Sequence, residues 1–161
     1  MLFDKKKHTM VLSGDDAINH FSDTVYRVAL NILKNEPDTH DVFQEVFLRF
    51  IKHKTKFESL EHAKAWFIRV TINCSNDFLR KQRHHLVIDE AVEVAVTDKV
   101  EHGMTAYVQE LEEKYRVVIH LFYYEQYKIN EIADILKENE NTIKTRLSRA
   151  KKILQKKWEN S

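Results

Sequence analysis

A chain of 161 residues with 43% hydrophobic and 11% aromatic content can bury a core as one domain or two small ones, which excludes a disordered polymer. Its single cysteine, Cys74, excludes both a disulfide and a Cys-based zinc site made from this chain, and reads as a small core residue. With 26 Lys and Arg against 25 Asp and Glu, the formal charge is +1, so attraction to a polyanion has to come from local clusters. Only two Gly and one Pro interrupt the pattern, and Gly14, Pro37 and Gly103 fall where helical periodicity lapses, which gives an all-α class. No apolar run approaches the ~18 residues of a membrane span, and the N-terminus lacks the form of a signal peptide. A soluble, cytoplasmic protein without membrane insertion is therefore expected.

Residues 1–14 carry Lys5, Lys6 and Lys7 without a period and read as a flexible arm. From Asp16 to Leu33, the residues Ile18, Phe21, Val25, Val28, Ala29, Ile32 and Leu33 form one helical face, closed by Asn35, Glu36 and Pro37. Asp38 is positioned to cap a second helix with the face Val42, Phe43, Val46, Phe47, Phe50 and Ile51. The other face, Asp41, Gln44, Glu45, Leu48 and Arg49, sets a hydrophobic residue among charges, as solvated surfaces and protein-docking faces both do.

After a polar loop from Lys56 to Glu61, a third helix is expected from about His62 to Lys81. Trp66 and Phe67 are adjacent and cannot both point straight into one core. Beside Lys64, Arg69, Asn73, Arg80 and Lys81 they have the composition of a platform for single-stranded nucleic acid, although both rings in the core is an equally compatible arrangement. Charge changes sign along this half: acids dominate from Asp15 to Glu45, bases from Arg49 to Arg83. Periodicity is lost between Gln82 and Thr105, where Asp89, Glu90, Glu93, Asp98 and Glu101 have few compensating bases, and an acidic linker at 83–105 divides the chain. Val92, Val94 and Val96 alternate as in a strand, but one strand has no partner.

Helical patterning resumes with Tyr107, Val108, Leu111, Tyr115, Val118, Ile119 and Phe122. Ile129, Ile132, Ala133 and Leu136 then mark a short helix; Lys137 and Glu138 break it, and Asn139 is placed to cap another. That last helix has the apolar stripe Ile143, Leu147, Ala150, Ile153, Leu154 and Trp158, opposite Lys144, Thr145, Ser148, Arg149, Lys151 and Lys152. Two helices across a three-residue turn, the second one basic, have the layout of a helix-turn-helix that reads a DNA major groove. An enzyme is the weakest reading. The nine His are scattered, with His120 on an apolar face as a satisfied core residue, and no nucleophile stands beside a base. No metal or cofactor is expected.

Three runs carry a resemblance. Phe43-Gln44-Glu45-Val46-Phe47-Leu48-Arg49 comes first, followed by Ala65-Trp66-Phe67-Ile68-Arg69-Val70 with Asn73 and Asp77-Phe78-Leu79-Arg80. Glu131-Ile132-Ala133 with Asn141 to Lys151 completes the set, and in this order they resemble the RNA polymerase sigma-70 family over roughly residues 16–158. In size the chain looks like the extracytoplasmic-function group, which keeps regions two and four. The resemblance implies two small helical domains: region 2 at 15–82 and a region 4 helix-turn-helix at 106–161. It implies that Asp41, Gln44, Glu45, Leu48 and Arg49 bind core RNA polymerase. Phe57, Glu58, Ser59, Leu60 and Glu61, with Trp66, Arg69, Asn73 and Arg80, would meet the −10 element of promoter DNA. Asn141, Thr142, Lys144, Thr145, Ser148 and Arg149 would meet the −35 element. The linker resembles a segment that threads the polymerase's RNA path, and an anti-sigma factor is a partner by resemblance only. Two departures stand out: Leu111-Glu112-Glu113 replaces a frequent Leu-Pro, and Lys137-Glu138-Asn139 replaces a Gly-led turn. The competing reading is an autonomous helix-turn-helix regulator that binds duplex DNA without polymerase; it leaves the N-terminal half without a role.

Overall fold

The computed structural model describes residues 9–53, 56–86 and 103–161. In the N-terminal half three helices pack together: α1 (Gly14–Leu33), α2 (Glu36–His53) and α3 (Leu60–Leu86). A two-residue strand β1 (Met10–Val11) pairs antiparallel with β2 (Lys56–Phe57), Met10 opposite Phe57. This ties down part of the expected arm, and Leu12 is buried beneath it; residues 1–8 lie outside the described set. Ser13 caps α1 through the Asp16 N–H at 3.1 Å, and Asp15 and Asp16 lie in its first turn, where the helix dipole favours anions.

Asn35, not Asp38, caps α2. Its Oδ1 accepts the Asp38 N–H at 2.9 Å, so the helix already begins at Glu36. Pro37 is tolerated in that first turn because the N–H it lacks has no helical partner there. The first core gathers Phe21, Val25, Val46, Phe47, Phe50, Phe57, Phe67 and Cys74. Two residues expected in it are not: Ile18 and Ile51 are 46% and 59% exposed. α3 runs on to Leu86, into the stretch expected to be linker, and the acidic residues from 89 to 101 lie outside the described set.

The C-terminal half comprises α4 (Met104–Gln109), α5 (Glu113–Ile119), a π-helical turn (His120–Tyr124), α6 (Ile129–Leu136) and α7 (Glu140–Glu159). Leu121, Ile132, Ile143, Leu147 and Ala150 form its core, as the periodicity requires, but Trp158 at the end of α7 is 56% exposed. Glu112 takes the position before α5 with φ −56° and ψ 146°, a conformation that proline would also hold.

The second core is not confined to its own half. Val28 and Ile32 of α1 and Ile68 and Ile72 of α3 join it, so the two domains are closed on one another. Arg116 on α5 is 3% exposed and donates to the carbonyls of Asn31 and Ile32, at the C-terminus of α1, and to that of Leu111. Burial pulls its pKa below the ordinary arginine value, partly offset by Glu113. Arg116→Met fills the volume but leaves these acceptors without their charged donor, and should cost about 2–4 kcal/mol in urea unfolding. A change below about 0.5 kcal/mol, within the range of an ordinary surface substitution, would refute the anchoring role.

Candidate nucleic-acid interface

The helix-turn-helix is built as the sequence suggests, by caps rather than by glycine. The Glu131 carboxylate accepts the Lys128 N–H at 2.8 Å and starts α6. Lys137 ends it in the left-handed region, φ 52°, and the Glu138 N–H closes on the Ala133 carbonyl at 3.0 Å. The turn thus keeps the geometry of a Gly-led one, at the roughly 1–2 kcal/mol that an L-residue costs there. Asn139 Oδ1 accepts the Asn141 N–H at 2.7 Å and starts α7. With Ile143, Leu147 and Ala150 inward, Asn141, Lys144, Thr145, Ser148 and Arg149 are exposed and Thr142 is half-buried. Lys144, Thr145, Ser148, Arg149 and Lys152 line one open concavity on this face. Arg146 is withdrawn from it by an ion pair with Glu138 at 3.2 Å. Such a face can meet phosphates with its cations, donate to guanine O6 and N7, and reach bases through hydroxyls.

On α2, Asp41, Gln44, Glu45 and Leu48 are exposed, and the Arg49 Nε donates to Glu45 at 3.0 Å, which raises the Arg49 pKa. Leu48 is 50% exposed, and Ile51, one turn on, extends the same apolar patch. Sequence reasoning missed Ile51 by assigning it to the core; its spacing of three from Leu48 was the available signal.

Glu58 in the loop before α3 and Leu60 and Glu61 in the first turn of α3 are exposed, and the half-buried Ser59 caps α3 by accepting the His62 N–H at 3.0 Å. Phe57 does not belong to this surface. It is fully buried against Phe50 and Trp66, so it props the loop from beneath. Trp66 is half-buried, edge-on to Phe67, which is itself in the core. Asn73 and Arg80 are exposed, with Arg80 paired to Asp77. Arg69 turns to the other domain and donates to the Asp134 carbonyl at 3.2 Å. Apart from Phe57, the candidate residues thus lie on three surfaces, and Arg69 and Asn73 line the cleft between the domains together with Leu136 and Lys137 of the helix-turn-helix.

A charge cluster that no local pattern signals fastens the domains. The Glu125 side chain, 3% exposed, lies 3.0 Å from Lys64 Nζ, 3.5 Å from Arg27 Nη2 and 3.3 Å from His120 Nε2. The π-helical turn delivers it there, with Gln126 at φ 59° reversing the chain after it. His120 stacks on Tyr124, but its buried Nε2, although 3.3 Å from Glu125, has no hydrogen-bond partner, so it is not the satisfied core histidine the sequence suggested.

The family model Sigma-70 region 2 matches residues 17–85 and that of Sigma-70, region 4 matches residues 103–154. RNA polymerase sigma factor SigV of Bacillus subtilis (strain 168) is 34% identical over 155 residues, covering 93% of each chain. ECF RNA polymerase sigma factor SigW of the same organism is 27% identical, covering 94% of this chain and 95% of its own. Among solved structures, the sigma factor RpoE in complex with the anti-sigma factor NepR from Bartonella quintana aligns with a TM-score of 0.74 at 18% identity, over 88% of this chain and 94% of that one. CnrH in complex with the cytosolic domain of CnrY aligns at 0.66 and 19%, over 92% and 88%. These two share the fold.

Burial pushes the Glu125 carboxyl up, but the close approach of His120 and Lys64 and their charges outweigh it, leaving a pKa of about 2. A carboxyl depressed on folding contributes stability above its unfolded pKa and loses it as pH falls toward the folded value. Wild type should therefore lose on the order of 2 kcal/mol more than Glu125→Gln between about pH 4.5 and about pH 2, allowing for screening by solvent. Thermal midpoints across that window check it, and parallel pH profiles would contradict it.

Proposed function

The chain belongs to the sigma-70 family as an RNA polymerase sigma factor of the extracytoplasmic-function type, and from that premise we propose how its domains divide the work. The N-terminal domain grips core RNA polymerase with Asp41, Gln44, Glu45, Leu48 and Arg49, joined by Ile51. Its residues Glu58, Ser59, Leu60 and Glu61 at the start of α3, with Trp66, Arg69, Asn73 and Arg80, handle the −10 element, and Phe57 supports that segment. The C-terminal domain reads the −35 element with Asn141, Thr142, Lys144, Thr145, Ser148 and Arg149. The chain contributes recognition and leaves the chemistry to polymerase. Among the described residues no helix is long and apolar enough to cross a membrane, and we place the protein in the cytoplasm with its polymerase. An anti-sigma factor, as in the complexes of RpoE and CnrH, is a further proposed partner.

The observation that carries this reading is the exposed face of α7, where Lys144, Thr145, Ser148 and Arg149 stand together on a helix whose opposite face is locked in the core. If Arg149 makes a bidentate guanine contact, Arg149→Ala in the complex with core polymerase should cost about 1–3 kcal/mol of promoter affinity and relax specificity at one base pair of the −35 element. A uniform loss across all sequences would make Arg149 a phosphate contact instead. No loss at all would remove α7 from the interface.

A further inference from the structure

The start of α3 is tied by a histidine where a helix start ordinarily uses a carboxylate or an amide. Ser59 holds the capping position: its Oγ accepts the His62 N–H at 3.0 Å, and its carbonyl accepts the Ala63 N–H at 3.0 Å. In the reciprocal form of this cap the residue three places on is Glu or Gln, whose side chain reaches back to a free N–H at the helix start. Here that residue is His62. Its Nδ1 accepts the Glu58 N–H at 3.1 Å, one residue further out than the ordinary cap. An imidazole nitrogen accepts only when it carries no proton, so this bond assigns the ring proton to Nε2.

The ring is held from a second side. It meets the buried Phe57 edge-on, with centroids 5.6 Å apart and planes at 86°. Phe57 is itself fixed, by the pairing of β2 with β1 and by Phe50 and Trp66. Glu58 and Ser59 thus lie between two fixed points, Phe57 beneath them and His62 across from them. His62 is exposed, so removing its ring deletes a surface hydrogen bond and leaves the aromatic core beneath intact. The segment it shapes is the one assigned above to the −10 element, and a segment ordered before it binds loses less conformational freedom when it does.

We propose that His62 is a positioning residue for recognition of the −10 element: by accepting the Glu58 N–H it presets the backbone of residues 58–61 in the shape that receives the unpaired promoter strand. The proposal rests on the sigma-factor reading, and on the assignment of Glu58 to Glu61 within it, and adds a residue outside that set. His62 acts through the Glu58 backbone and touches no base.

The complex with core polymerase tests this on two promoters that differ only in whether mismatches leave the −10 element unpaired. His62→Ala removes the acceptor and should lower affinity for the unpaired promoter about two- to tenfold, the worth of one hydrogen bond. On the paired promoter it should delay the appearance of permanganate-reactive thymines. His62→Asn carries its Oδ1 at the same remove from the backbone as Nδ1 and should recover both. Equal losses in His62→Ala and His62→Asn would mean that the ring itself is what the promoter needs, and would overturn the proposal. So would wild-type affinity in His62→Ala. Binding of core polymerase should stay unchanged in both variants, and a parallel fall in it would make the defect one of folding and overturn the positioning role. Failure of the wild-type chain and core polymerase to form a complex on either promoter is a separate result, and would overturn the sigma-factor reading together with what rests on it.

Discussion

A single buried guanidinium decides how the two halves of this chain meet. The last turn of α1 carries no basic residue of its own, so its terminal carbonyls, which have no helical partners, would face a low-dielectric interface unsatisfied. Arg116 supplies the missing donors from α5 of the other domain, as a cation at the negative end of a helix dipole. With that end satisfied, Val28 and Ile32 can lie against Val117, Val118 and Leu121, and Ile68 and Ile72 of α3 follow. The polar anchor and the apolar seam depend on each other, because an unpaired Arg116 or unpaired carbonyls would make the same burial unfavourable.

This closure conflicts geometrically with the proposed function. Elements centred near −10 and −35 are about 25 base pairs apart, roughly 85 Å along a duplex at about 3.4 Å per base pair. In the closed chain, Arg69, which we propose for the −10 element, donates to the Asp134 carbonyl, just ahead of the turn into α7. Residues 87–102 can span at most roughly 55–60 Å when extended, which with the two domains added reaches both elements only if the domains have parted. The fastening is suited to reversal. Its polar contacts, Glu125 with Lys64 and Arg27 and Arg69 with the Asp134 carbonyl, join groups that water can also solvate once the domains part.

The sequence carried the local part of this structure and little of the long-range part. Period and cap chemistry placed α6 and α7, because Asn139, Ile143, Leu147 and Ala150 act within a few residues of one another. Where two positions sat on the edge of an apolar stripe, as Ile18 and Ile51 do, periodicity alone could not say which side of the edge faces solvent. Phe57 looked like loop because its burial comes from β1, more than forty residues away, and from Phe50. Glu125, Arg27 and Lys64 come from three segments whose meeting has no signature in spacing. The candidate face on α7 was legible because a helix shows its surface in sequence; the closure that covers Arg69 was not, because it is a contact between domains.

The central claim is that one chain works by parting two domains that are otherwise closed on each other. Fluorophores on the exposed ends of α2 and α7 measure this directly, in the free chain and in the complex with core polymerase and promoter. The account predicts a short separation in the free chain and one longer by several tens of Å in the promoter complex, on the scale of the roughly 85 Å between the elements. Equal separations in the two states, in a complex that starts transcription, would contradict it.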